Sequence, residues 1–284
     1  MRTVYVNGIF CPENQAVVSV FDRGFLFADG VYEVTSVLGG RLIDFSGHMA
    51  RLRRSLDELS MAAPAGEDEL LSIHRQLVDK NGLDEGMIYL QVTRGSADRD
   101  FLYPPEDTPA SLVLFTQAAN LRARPQVQTG IRVVTVPDLR WQRRDIKTVQ
   151  LLYPSMAKME AKRRGADDAW LVEDEVITEG TSNNAYIVTA DGKLITRPLS
   201  HSILHGITRT AILRLAAEHG VPVEERPFTV EEAKQSREAF VTSASTFVMP
   251  VVQIDEAVIG EGSPGPIARK LRTIYLEEAE RTAI

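Results

Sequence analysis

Two tight-turn signals constrain this chain most: Asn7-Gly8 and Gly39-Gly40, each flanked by short runs of strand-forming residues. Asn-Gly accepts the positive φ of a primed hairpin turn, so Val4-Tyr5-Val6 is predicted to pair with Ile9-Phe10. By the same logic, Val31 to Leu38 folds back at Gly39-Gly40 onto Arg41 to Asp44. Helical periodicity follows at once. Met49, Leu52, Leu56 and Leu59 recur at three- and four-residue spacing and predict an amphipathic helix from His48 to Leu59. A second helix is expected from about Glu67 to Lys80, stopped by Asn81-Gly82, with apolar strands from Met87 to Arg94 and from Ala110 to Thr116. Sheet and helix together make this half α+β.

The pattern dissolves across Ala119 to Gly130, so residues 119–129 are the expected interdomain linker. It separates a smaller N-terminal α+β domain, 1–118, from a larger C-terminal domain, 130–284. Beyond it a strand is expected from Ile131 to Val136 and a helix from Tyr153 to Arg164, ended by Gly165. Two hairpins follow, Ala169 to Glu173 with Glu175 to Thr178, and Asn184 to Thr189 with Lys193 to Thr196. A helix opened by Thr208 runs to His219, with Gly220 at its C′ position. Ala239 to Thr242 reads as a strand and Ile267 to Glu280 as a terminal helix.

Composition excludes several function classes. A net charge of −7 and a pI near 5.4 argue against a partner held by phosphate contacts, so no nucleic acid is expected. The clusters Arg51, Arg53, Arg54 and Arg140, Arg143, Arg144 read as solvated faces. Cys11 is the only cysteine, which leaves no internal disulfide and no cysteine-based metal site. No stretch reads as a signal peptide or a membrane span, and the expectation is a cytoplasmic protein that uses no membrane.

Seven lysines stand against twenty-five arginines. Six have ordinary explanations, such as Lys80 at a helix C-terminus or Lys158 and Lys162 on one helix face. Lys147, in Arg144-Asp145-Ile146-Lys147-Thr148, falls between a strand and a helix, where a side chain can reach into a cleft. Glu179-Gly180-Thr181-Ser182-Asn183 reads either as a polar turn or as a carboxylate for a pyridine nitrogen with donors beyond it. Leu204-His205-Gly206-Ile207-Thr208-Arg209 opens a helix, which is either a Thr208 N-cap or a phosphate site built from backbone N–H groups. Thr242-Ser243-Ala244-Ser245-Thr246 adds hydroxyls after a strand.

In this order these segments resemble the fold type IV pyridoxal-phosphate enzymes, and most closely the D-amino acid aminotransferases. Asp22-Arg23-Gly24-Phe25-Leu26-Phe27-Ala28-Asp29-Gly30-Val31-Tyr32-Glu33-Val34 and Gln91-Val92-Thr93-Arg94-Gly95 match that group as well. The resemblance covers nearly the whole chain. It implies an α+β fold with a smaller N-terminal α/β sandwich-like domain, a larger C-terminal one, and pyridoxal 5′-phosphate at their junction. Lys147 would form the internal aldimine and shuttle the proton, and Glu179 would pair with the ring nitrogen. Arg51, Ile207, Thr208, Ser243 and Ala244 would hold the phosphate, with Ser182 nearby and Leu204 against the ring. Tyr32, Val34, Arg99 and Phe101 would face the substrate, Arg99 reaching in from the partner subunit of a homodimer.

Two departures stand out. Phe101 occupies a position where the family pattern has a histidine, and Ala244 one where it has a threonine. A phenyl ring donates no hydrogen bond to a carboxylate, and Arg23 is one residue that could supply the lost contact. The implied reaction moves the amino group of a D-amino acid such as D-alanine to 2-oxoglutarate or pyruvate. Competing readings are an (R)-selective amine transaminase, a branched-chain aminotransferase, a 4-amino-4-deoxychorismate lyase, and a cofactor-binding protein without turnover.

Overall fold

The computed structural model describes all 284 residues, and the chain divides into two compact units. Unit 1 comprises Met1–Asn120, Ile146–Gln150 and Thr282–Ile284; unit 2 comprises Leu121–Asp145 and Leu151–Arg281.

Unit 1 contains β1 (Thr3–Val6), β2 (Ile9–Pro12), α1 (Arg23–Phe27), β3 (Gly30–Leu38), β4 (Arg41–Leu42), α2 (Phe45–Glu58), α3 (Glu67–Asn81), β5 (Glu85–Thr93) and β6 (Ser111–Ala118). The six strands form one antiparallel sheet in the order β2-β1-β6-β5-β3-β4. Both hairpins turn where the sequence requires, with positive φ at Asn7, Gly8, Gly39 and Gly40. The stripe of α2 buries Met49, Leu52 and Leu56 against Leu70, Ile73 and Leu77 of α3 and Ile88, Leu90 and Leu114 of the sheet. At roughly 1.5–3 kcal/mol per fully buried aliphatic side chain, this packing sets the helices on the sheet.

Strand β3 alternates. Val31, Glu33 and Thr35 are buried, while Tyr32 and Val34 stand half-buried on the opposite face. Its edge is extended by Ile146–Gln150: Tyr32 N donates to Lys147 O (3.0 Å), Val149 N donates to Gly30 O (3.1 Å), and Val31 bridges Thr148. Lys147 therefore hangs on a strand far from it in sequence.

Unit 2 contains α4 (Gln126–Thr129), β7 (Ile131–Pro137), α5 (Leu152–Arg163), β8 (Asp168–Glu173), β9 (Val176–Gly180), β10 (Asn184–Val188), β11 (Leu194–Thr196), α6 (Ile207–Glu218), β12 (Val223–Glu225), α7 (Val230–Lys234), β13 (Glu238–Ser243), β14 (Phe247–Ile254), β15 (Ala257–Val258) and nearly all of α8 (Pro266–Thr282). The sheet runs β12-β11-β10-β13-β14-β7-β8-β9, with β15 on β14. Because Thr181–Asn183 lead straight from β9 into β10, the sheet curls until its β9 edge returns to β10. Its core includes Trp170, Ile177, Ile187, Val241 and Val251. No helix is long and apolar enough to cross a membrane.

The sequence pattern missed β14, a central strand, and the short α1, α4, α7, β12 and β15. It also misplaced one cap: α6 begins at Ile207 with Gly206 as its N-cap, so Thr208 lies inside the first turn. A Cβ at 206 would collide with the Asn184 side chain, which explains glycine there.

Candidate active site

In unit 1, the Lys147 ammonium lies 4.1 Å from the centroid of the Tyr32 ring and forms no ion pair. Its backbone N–H reaches Ser55 Oγ (3.4 Å), one turn along α2 from Arg51. Tyr32 stacks on Tyr89 at 5.4 Å, and Tyr89 on Phe115 at 4.9 Å, so an aromatic ladder on one sheet face backs the lysine. Val34 shares that face, half-buried.

On the other face of β3, the Glu33 carboxylate receives Arg51 Nε (2.8 Å) and Nη2 (2.7 Å) and contacts His48 Nδ1 (2.7 Å). Burial alone would raise the Glu33 pKa, but the Arg51 fork and His48 hold it down to about 2. Glu33 thereby fixes how Arg51 is presented. Arg99 and Phe101 lie elsewhere in unit 1, exposed, on the loop after β5. The Arg99 guanidinium sits 5.2 Å from the Phe27 ring and 5.5 Å from the Phe101 ring. Arg23 gives Nε to Asp29 (2.7 Å) and Nη1 to the carbonyls of Asp100 and Leu102, which leaves only Nη2 for the carboxylate contact the sequence suggested.

In unit 2, Glu179 near the end of β9 is buried and fully engaged. Arg140 Nη1 donates to its Oε1 (2.7 Å), while Asn184 Nδ2 (3.0 Å) and the Leu204 N–H (3.1 Å) donate to Oε2. Arg140 gives its Nε and Nη2 to Asp138 (2.9 and 2.7 Å). Burial raises the Glu179 pKa above the usual carboxylate value, and the single Arg140 contact and the Leu204 N–H oppose that rise without cancelling it.

Ile207 and Thr208 form the first turn of α6, where no side-chain cap accepts from the backbone N–H groups. At the end of β13, Ser243 Oγ meets Thr246 Oγ1 (2.7 Å), with Ala244 half-buried between them in sequence. Ser243 and Ser182 come together on a cavity of about 260 Å³ that Asn183, Ser245 and Thr246 also line.

The sequence missed Glu33 and Arg140. Arg51, Arg140 and Arg144 read as members of solvated clusters, yet each is paired with carboxylates: Arg51 with Glu33, Arg140 with Asp138 and Glu179, Arg144 with Glu173 (2.8 Å). A basic run signals charge but not its partner, because Glu33 and Glu179 are distant in sequence from the arginines they meet.

Residues 30–254 match the amino-transferase class IV family, and the chain belongs to it. It is an aminotransferase. It is 38% identical to the D-alanine aminotransferase of Staphylococcus aureus (strain N315) over 284 residues, all of both chains. It is 39% identical over 270 residues to the D-alanine aminotransferase of Bacillus licheniformis, covering 95% of this chain and 94% of that one. Among solved structures, the branched-chain aminotransferase of the thermophilic archaeon Thermoproteus uzoniensis with norvaline is similar in fold, with a TM-score of 0.86 and 27% identity, over 97% of this chain and 94% of that one.

Proposed function

We propose that this enzyme moves the amino group of a D-amino acid, D-alanine foremost, to 2-oxoglutarate or pyruvate. It would hold pyridoxal 5′-phosphate covalently through Lys147 and work as a cytoplasmic homodimer. The observation that carries this reading is Lys147 itself. Lys193 and Lys234 are tied to carboxylates, whereas the Lys147 amine meets only the face of an aromatic ring.

The residues suit that cofactor, which needs an amine, a carboxylate for its ring nitrogen and donors for its phosphate. Unit 1 offers Lys147 and the Arg51 guanidinium, which Glu33 orients by taking its Nε and Nη2. Unit 2 offers Glu179, the uncapped first turn of α6 at Ile207 and Thr208, and the Ser243 hydroxyl with Ala244 and Ser182 nearby. A helix N-terminus favours a phosphate through its macrodipole and exposed N–H groups. Leu204 joins the two parts of unit 2, since its N–H binds Glu179 and it lies three residues before α6. When bound, the cofactor supplies the electron sink that stabilises the charge left at the α-carbon.

Lys147 Nζ takes the α-proton and returns it, and the Tyr32 ring steadies the ammonium in between by about 0.5–2 kcal/mol. Glu179, held by Arg140, Asn184 and the Leu204 N–H, would present its carboxylate to the cofactor's ring nitrogen. Arg99, reaching in from the partner subunit with Phe101 beside it, would read the substrate carboxylate, and Tyr32 and Val34 would shape the space next to Lys147. The exposed Phe25, Phe101, Leu102 and Tyr103 side chains support a second subunit.

The likeness to branched-chain aminotransferases favours one alternative, an L-amino acid donor. The test is a donor screen of D-alanine, L-leucine and (R)-1-phenylethylamine against 2-oxoglutarate. Turnover of D-alanine is expected; preference for L-leucine overturns the reading.

A further inference from the structure

Arg23 is 3% exposed, and two of its guanidinium nitrogens and one face of the group are engaged within unit 1. Nε donates to Asp29 Oδ2 (2.7 Å), Nη1 donates to the carbonyls of Asp100 (2.8 Å) and Leu102 (3.3 Å), and the planar group lies 4.5 Å from the Phe27 centroid. Those carbonyls flank Phe101 and belong to the loop that carries Arg99. Further ties run between the same segments: Arg23 N donates to Gly95 O (2.8 Å), Asp22 bridges Ser96, and Arg94 Nε reaches Asp29 (2.8 Å) while its guanidinium lies 3.7 Å from the Tyr103 ring. The Phe27 and Phe101 rings meet edge to face at 5.7 Å, and both lie within reach of Arg99.

We infer that α1 and the 96–103 loop form a carboxylate-reading device, in which Arg23 sets the loop and the Phe27 and Phe101 rings set the Arg99 guanidinium. The inference rests on Arg99 reading the substrate carboxylate, as proposed above. Ring faces attract a guanidinium through their quadrupole without using its N–H donors. Arg99 has no acidic partner to compete, so its fork stays available to a carboxylate. Asp29 offsets the charge of Arg23, which lets a second guanidinium share the Phe27 ring. Phe101 thus fixes the arginine, where a histidine would instead contact the substrate. Arg23 and Phe27 act through Arg99 and are positioning residues.

The holoenzyme is assayed as wild type, Arg99→Ala, Phe101→Leu, Phe27→Leu and Arg23→Lys. KM is measured for D-alanine and 2-oxoglutarate, together with the Ki of propionate, a carboxylate without an amine. Each leucine variant keeps apolar volume but loses the ring face, so KM and the propionate Ki should rise about two- to fivefold while kcat changes less than about twofold. Arg23→Lys keeps the charge and loses the fork, and should move the same two constants in the same direction. Restoring a ring with Phe101→Tyr should return both to wild-type values. Should Arg23→Lys fail to fold, Phe101→Leu decides, because that side chain is 80% exposed within its own chain, with gel filtration confirming that the variant keeps the wild-type oligomeric state. If Arg99→Ala raises both constants and Phe101→Leu and Phe27→Leu leave them at wild type, the ring device is overturned and the Arg99 assignment stands. If Arg99→Ala itself leaves both unchanged, the Arg99 assignment falls and the device with it.

Discussion

Each unit buries one glutamate against one arginine, and the two pairs are tuned in opposite directions. In unit 1, Arg51 gives Glu33 a two-pronged fork and His48 adds a third contact, so the carboxyl is held down to about 2. In unit 2, Asp138 takes the prongs of Arg140 that would make such a fork, leaving Glu179 a single N–H from it, and burial keeps the Glu179 pKa raised. The difference lies in how the arginine is shared. A carboxylate that owns its arginine stabilises the fold. One that shares it keeps some proton affinity, which would suit the role proposed for Glu179 beside a ring nitrogen.

Replacing each glutamate by its amide gives the largest expected effects and separates the two roles. Glu33→Gln leaves Arg51 buried without its counter-charge and should cost about 3–5 kcal/mol of stability. Glu179→Gln should leave the melting temperature unchanged or raised, because Arg140 keeps Asp138, while kcat falls at least about a hundredfold, near 3 kcal/mol in the barrier. Calorimetry and steady-state kinetics on the two proteins read both outcomes; matching stability losses would erase the comparison.

Acid gives a somewhat smaller effect, led in unit 1 by Glu33; in unit 2 Asp138 and Asp255 are also held below the usual carboxylate value and lose stabilisation on acidification. The folded pKa of Glu33 lies below its unfolded value, so its stabilisation is complete above pH 4.5 and is lost as pH falls toward 2. By linkage this is about 3 kcal/mol. Burial also lowers the pKa of His74 in α3 to about 4, so between pH 6.5 and 4 the unfolded chain takes up a proton that the folded one refuses. The raised Glu179 carboxyl has the opposite sign and makes unit 2 slightly more stable on acidification through its folded pKa. Amide hydrogen exchange at pH 7, 5 and 3.5 should show β3 and α2 losing protection before β9 and β10. Simultaneous loss in both units would contradict it.

The smallest expected change is also the sharpest. Asp138→Asn takes a carboxylate away from Arg140, which can then offer its fork to Glu179 and make that carboxyl more acidic. The acid limb of the kcat profile should shift to lower pH, with an activity change worth about 1 kcal/mol or less. An unmoved acid limb would show that sharing by Asp138 does not control Glu179.

Much of this was legible in the sequence where local rules suffice. Asn7-Gly8 and Gly39-Gly40 fixed two hairpins, and Met49, Leu52 and Leu56 fixed a helix, because turn chemistry and periodicity act over a few residues. Lys147 stood out by lacking an ordinary explanation, and it does lie between β7 and α5. Strand β14 was lost because a continuously apolar strand at the centre of a sheet carries no alternation to read. Thr208 looked like a cap because threonine is a good one, yet the close approach of Asn184 requires glycine just before the helix. Arg140, Glu33 and the clamp at Arg23 were illegible for one reason. Each takes its meaning from a partner that only the fold brings near.

The short segment Ile146–Gln150 is stitched to β3 while its neighbours on both sides belong to unit 2. A recombinant joining the first 120 residues of one relative to the remainder of another would therefore hang the second parent's lysine on the first parent's β3. The height and tilt of that amine would be inherited from the parent that does not encode it, so compatible crossovers must keep residues 30–32 and 146–150 from one source.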